Sequence, residues 1–143
     1  MTDESLVNMD RLWRRLCREE GIELKMYTDT TGNVSIGVGR NLTGVGINKN
    51  EAMVLLRNDI HRAIDSMPHR EVWEGLNEVR REVLVNMCFN LGATKLKGFK
   101  RMWVALSGGL FYEAANEMLD SKWSTQVGTR AARLSLAMRL GRF

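Results

Sequence analysis

Leu6, Met9, Leu12, Trp13, Leu16 and Cys17 recur at steps of three and four residues, so residues from about 5 to 20 form one apolar stripe of a helix. Gly21 follows at once and reads as a helix stop. From 22 to 47 the period changes. Gly32, Gly37, Gly39, Gly44 and Gly46 crowd this stretch, and Asp29-Thr30-Thr31-Gly32 has the composition of a turn. After it Val34, Ile36 and Val38 alternate with Ser35, Gly37 and Gly39, which is strand periodicity. The segment predicts a small antiparallel sheet of two or three short strands. Asn48 then opens a helix. Glu51, three residues on, completes a capping-box pattern ahead of Ala52, Met53, Leu55, Leu56 and Ile60, and Pro68 marks the end. The rest is helical in pattern. Residues 78–91 contain VLVNMCFNL, apolar nearly all round, which predicts a central buried helix closed by Gly92. Further helices are expected up to Gly108-Gly109, from about 110 to 121, and from about 129 to 140.

Strands segregated from helices imply an α+β fold. The expected architecture is one domain over 1–143. A sheet lobe covers about 21–48, and a helical lobe covers about 70–143 together with the N-terminal helix. A cleft is expected where the lobes meet.

The 143 residues suffice to bury a core, and a single proline with no low-complexity tract argues against a disordered chain. The net charge of +4 is unevenly placed. Residues 1–70 hold ten Lys/Arg against ten Asp/Glu, and residues 71–143 hold eleven against seven, so the surplus lies wholly in the second half. That favours an anionic partner, though a surplus this small is also what an ordinary solvated surface carries. Cys17 and Cys88 sit among apolar residues without metal-type spacing and read first as buried, reduced thiols, with a disulfide between them as the alternative. The start, MTDESLVNMD, is polar and acidic rather than a signal peptide, and no apolar run is long enough to span a membrane. The expectation is a protein made in the cytoplasm; if its substrate lies outside, another agent must let it out.

Glycosidic hydrolysis usually takes two carboxyls, one protonated to donate to the leaving oxygen and one ionised. Glu20 and Asp29 are candidates, nine residues apart. Glu20 falls in the last turn of the first helix, where the negative end of the dipole disfavours carboxylate. Apolar neighbours would act in the same direction, as a general acid requires. Asp29 lies in a polar turn whose free N–H groups favour its ionised form. Ser35, six residues later, stands on the strand face opposite Val34 and Ile36, where its hydroxyl can hold a water together with Asp29. The flanking glycines let a bulky sugar approach. Singly, each has a plainer reading: a surface charge, a turn-former and a strand residue facing water.

In combination they are specific. The stretch EEGIELKMYTDTTGNVSIGVGR, residues 19–40, closely resembles the active-site segment of phage-type lysozymes, glycoside hydrolase family 24. The family pattern is Glu-Gly, an aromatic, Asp, a turn Gly, then Thr-Ile-Gly-x-Gly. Here it is Glu20-Gly21, Tyr27, Asp29, Gly32 and Ser35-Ile36-Gly37-Val38-Gly39. Residues 76–92 look like the family's central helix. Gly98-Phe99, Glu113-Ala114-Ala115, Ser121-Lys122-Trp123 and Arg130-Ala131-Ala132-Arg133 follow in the family's order, so the resemblance runs from about residue 12 to the C-terminus. It implies that Glu20 is the general acid, that Asp29 positions the attacking water, and that Arg130 pairs with the acid. It also implies inversion at the anomeric carbon, for which the carboxyls stand roughly 6.5–9.5 Å apart.

The chain departs from the family at four places. Ser35 replaces the usual threonine, keeping the hydroxyl but not the methyl that fixes its rotamer. Arg40 replaces a histidine whose family partner is an aspartate matching Asp59, so an Arg40–Asp59 pair is expected. The connection at 41–48 is short, which removes part of one cleft lip. Of the positions that contact sugar in the family, Phe89 is kept, whereas Asn41, Met102 and Glu117 match in position but not in type. Trp13, Trp73, Trp103 and Trp123 read as core or lobe-packing residues rather than sugar platforms; of the four, Trp123, by its position, has the better claim to the cleft. His61 and His69 have no ligand spacing, so no metal or other cofactor is expected. Gly37 and Gly39 are not a dinucleotide fingerprint, because no strand-to-helix step follows them.

The resemblance implies an endolysin that cuts the β-1,4 link between N-acetylmuramic acid and N-acetylglucosamine in peptidoglycan. Such an enzyme is a monomer that waits in the host cytoplasm for a holin and then acts in the periplasm and on the cell wall. A lytic transglycosylase would cut the same bond without water and without need of Asp29. A lysozyme fold that has lost catalysis would bind walls and release no sugar, and Ser35 keeps that alternative open. A nucleic-acid binder using Arg130, Arg133, Arg139 and Arg142 comes last, since no helix-turn-helix or zinc pattern supports it. The same arginine-rich C-terminus is a candidate for reaching an anionic wall or outer membrane.

Overall fold

The computed structural model describes residues 6–143, which form two compact units, one ending at Met53 and the other spanning Val54–Phe143. The fold is α+β, as the periodicities predict. The boundary falls inside a helix, and the first helix is grouped with the sheet rather than with the helical lobe expected for it.

In the first unit, helix α1 covers Met9–Glu20. Asn8 caps it, its Oδ1 accepting from the Arg11 N–H at 2.8 Å, and Gly21 ends it at φ +74°, a value that favours glycine. The α1 stripe of Leu12, Trp13 and Leu16 is not covered by the first unit's own residues. Three strands follow, β1 (Glu23–Thr28), β2 (Val34–Gly37) and β3 (Arg40–Asn41), in antiparallel order β1-β2-β3. Tyr27 pairs with Ser35, and Ser35 with Asn41, so Ser35 is central in the sheet. Helix α2 covers Lys49–Asp65 and starts with the expected capping box. The Glu51 N–H donates to Asn48 Oδ1 at 2.8 Å, and the Asn48 N–H to Glu51 Oε1 at 3.0 Å.

The second unit packs around α4 (Glu78–Leu91), whose Val83, Leu84, Met87 and Cys88 are buried. Around it stand α3 (Arg70–Glu74), α5 (Ala93–Lys97), α6 (Lys100–Ser107), α7 (Phe111–Leu119), α8 (Lys122–Val127) and α9 (Thr129–Leu140). The helix expected to run up to Gly108 is two helices, broken at Gly98-Phe99. Arg80 ties the start of α4 to the end of α9: its guanidinium donates to the Met138 carbonyl at 2.7 Å and the Arg139 carbonyl at 3.1 Å. These are carbonyls that a helix C-terminus leaves without internal partners. Both cysteines are free thiols; Cys88 is buried as expected, but Cys17 is only half-buried. No helix among the described residues is long and apolar enough to cross a membrane.

Candidate active site

The first unit assembles the two candidate carboxyls on one small scaffold. Glu20 is the last residue of α1. Its side chain is exposed, so the apolar surroundings expected for it are not supplied by this unit. Glu20 Oε2 lies 3.9 Å from where a Cβ would stand on Gly39, at the β2–β3 turn. Gly39 has φ +79°, so a side chain there is strained by the backbone as well as close to the acid.

Asp29 terminates β1 and is held by its own turn. Its Oδ1 accepts three hydrogen bonds: from the Thr31 N–H at 2.9 Å, the Thr31 hydroxyl at 2.7 Å and the Asn33 N–H at 2.9 Å. The Thr31 hydroxyl, followed by the Asn33 N–H, holds the Asp29 carboxyl below its ordinary pKa; the small opposing effect of burial is outweighed. All three of these bonds use one oxygen, which leaves Oδ2 available for a water. Sequence reasoning saw the turn but not Thr31 and Asn33 as its anchors. The cue was the Asp-x-Thr spacing of an Asx turn.

Because the folded pKa lies below that of the unfolded chain, the turn's contribution to stability is fully present above about pH 3.9. It is lost as pH falls through the depressed folded value. Thr31→Val removes the largest contributor. The Asp29 titration midpoint, followed by carboxyl NMR, is expected to move upward, and the acid-unfolding limb with it; an unchanged midpoint would contradict this assignment.

Ser35 is buried in the middle strand, between Tyr27 and Asn41, and does not face bulk water. Asn41 Oδ1 accepts the Gly44 N–H at 2.9 Å and so closes the turn after β3. Arg40 and Asp59, for which a mutual pair is expected, each have a partner within their own unit. Arg40 bridges to Glu51 Oε2 at 2.7 Å and donates to the Gly46 carbonyl at 3.2 Å, while Asp59 is bonded to Arg62. Glu51 was already fixed by the α2 cap and presents a ready carboxylate, so Arg40 locks the sheet to the start of α2.

In the second unit, Phe89, Asn86 and Arg130 line one recess of about 540 Å3 together with Leu56, Ile60 and Trp73. Arg130 Nε and Nη2 donate to Asn86 Oδ1 at 2.9 and 2.5 Å. This two-pronged grip fixes the guanidinium plane and leaves Nη1 for an anionic group. Asn86 escaped sequence reasoning because the contact spans 44 residues. Glu117 borders a separate recess with Lys100 and Arg101. Met102 lines that same recess, although its side chain is 0% exposed. Trp123 is 2% exposed and belongs to the core of this unit, the plainer of its two readings. Met102 lies on the inner face of α6 with Trp103 and Leu106, and Trp123 Nε1 donates to Asn90 Oδ1 at 3.0 Å.

Glu20 at the end of α1, the anchored Asp29 after β1 and the buried Ser35 on β2 thus share one unit. The phage lysozyme family's sequence profile matches residues 17–139, and the chain belongs to that family. Its general activity is therefore that of a glycosidase of lysozyme type. It is 27% identical over 154 residues to "Probable T4-type lysozyme 2" of Dictyostelium discoideum, covering 86% of this chain and 90% of that protein. It is 30% identical over 155 residues to the "Pre-baseplate central spike protein Gp5" of Enterobacteria phage T4, covering 88% of this chain but 27% of that protein. Over 92 residues it is 32% identical to the "Endolysin" of Salmonella phage P22, covering 59% and 62%.

Proposed function

We propose that the protein is an endolysin that hydrolyses the β-1,4 bond between N-acetylmuramic acid and N-acetylglucosamine in peptidoglycan, for lysis of a bacterial host. Glu20 protonates the leaving oxygen. Asp29, ionised and anchored through Oδ1, uses Oδ2 to orient and deprotonate the attacking water, with Ser35 bounding its position. Arg130 acts on the acid, and Phe89 and the Asn41 amide contact sugar. The observation that carries this reading is the Asp29 anchorage: three donors converge on one oxygen of a carboxylate whose other oxygen they leave open. A lytic transglycosylase has no use for such a group, because it adds no water. In this reading the enzyme is a monomer, needs no cofactor, and awaits a holin in the host cytoplasm before acting in the periplasm.

Purified sacculi test it. Hydrolysis clears the suspension and puts reducing saccharides into the supernatant. Protein that co-sediments with sacculi and releases no sugar would make this chain a wall-binding member of the family instead.

A further inference from the structure

The solvent side of the last helix is apolar where a surface helix is ordinarily polar. α9 turns Ala131, Leu134, Ala137 and Met138 into the second unit's core. Its outer side carries Arg133, Leu136 and Leu140, spaced by three and four residues on one face, and Phe143 follows the Gly141 cap. Leu136, Leu140 and Phe143 are 51%, 44% and 78% exposed. One exposed leucine is normal; three large apolar side chains in a row beside arginines mark an interaction surface.

The side-chain charge along this stretch of chain has one sign. Asp120 is the last acidic side chain, and residues 121–143 contain five Lys/Arg and no Asp/Glu. The elements packed on α9 carry Glu113 and Glu117 on α7 and Glu78 and Glu82 on α4, while α8 carries no carboxylate. Among the described residues none of these pairs with Arg133, Arg139 or Arg142. The Arg139 guanidinium instead lies 5.3 Å from the ring of Tyr112, itself exposed. The row is also preformed, because Arg80 and the Asn77 amide hold the carbonyls of Met138, Arg139 and Gly141.

We propose that this face of α9 docks on an anionic lipid bilayer, with Leu136, Leu140 and Phe143 in the interfacial zone and Arg133, Arg139 and Arg142 on lipid phosphates. A hydrophilic polyanion would engage the arginines and leave the leucines without a role. A bilayer engages both, since arginine stems lie along apolar surface while their heads reach phosphate. None of these residues belongs to the proposed catalytic machinery, and vesicles contain no peptidoglycan, so this surface stands or falls separately from the hydrolase reading.

Flotation of the full chain with vesicles tests it. The protein is expected to float with vesicles of phosphatidylcholine mixed with phosphatidylglycerol and to stay behind with phosphatidylcholine alone. Leu136→Ser with Leu140→Ser is expected to lower the partition coefficient by about tenfold or more. Arg133→Gln with Arg142→Gln is expected to do the same. Circular dichroism and melting temperature should be unchanged in both. Should the leucine variant lose its fold, Phe143→Ser, beyond the helix cap, takes its place and must also reduce flotation. Folded wild type that ignores anionic vesicles overturns the proposal, as does a folded leucine variant that floats like wild type.

Discussion

Glu20→Gln is expected to lower sugar release from peptidoglycan by about 10^3-fold, within the ~10^2–10^4-fold range that a positioned proton donor contributes. The glutamine keeps the length and shape of the side chain but has no proton to give to the departing oxygen. The loss should fall on kcat, because transfer of that proton belongs to the transition state rather than to binding. The fold should be indifferent to the change. Glu20 is exposed at the end of α1, and the bond closing that helix runs from the Gly21 N–H to the Cys17 carbonyl at 3.0 Å. Melting temperature and wall co-sedimentation are therefore expected to match wild type. Equal loss of activity and stability would move Glu20 from chemistry to architecture.

Trp123→Ala is expected to cost about 3–5 kcal/mol of stability, the usual range for deleting a buried large aromatic. The side chain is buried among the residues that α4, α7 and α9 contribute to the second unit's core, and its indole N–H is used by Asn90. For a chain whose total stability is of the ordinary order of 5–15 kcal/mol, that is a large share. Trp123→Phe should recover most of the packing and lose only the hydrogen bond to Asn90, an exposed residue that water can reach, at a cost of about 0.5–1.5 kcal/mol. Urea unfolding of the three proteins measures both. A sugar platform behaves otherwise: Trp123→Ala would then raise KM and leave the unfolding midpoint where it was.

These two residues show what could be read from the sequence. Glu20 was legible because its signal is local: an apolar stripe ends, a glycine stops the helix, and the turn and strand follow within twenty residues. The α2 capping box and the span of α4 were legible for the same reason, each being marked by residues three or four apart. Helices α3 and α8, of five and six residues, are shorter than any stripe that periodicity resolves; for α8 the one cue was Ser121, which caps the Ser124 N–H. Trp123 and Met102 are apolar side chains on the inner faces of short helices, and their burial follows from that character. Arg40 finds its carboxylate within its own unit, in the Glu51 that the α2 cap fixes, a partner that family position does not suggest. The Asn86–Arg130 grip joins residues on two helices far apart in the chain, and nothing local announces it.

The most direct test of the central claim is digestion of purified peptidoglycan in water enriched in oxygen-18, with mass spectrometry of the released saccharides. Wild type is predicted to give hydrated reducing-end N-acetylmuramic acid products carrying one heavy oxygen from the attacking water, and Glu20→Gln to give almost none. Anhydro products without the label would contradict the assignment of Asp29 to a water and place the chemistry with transglycosylation.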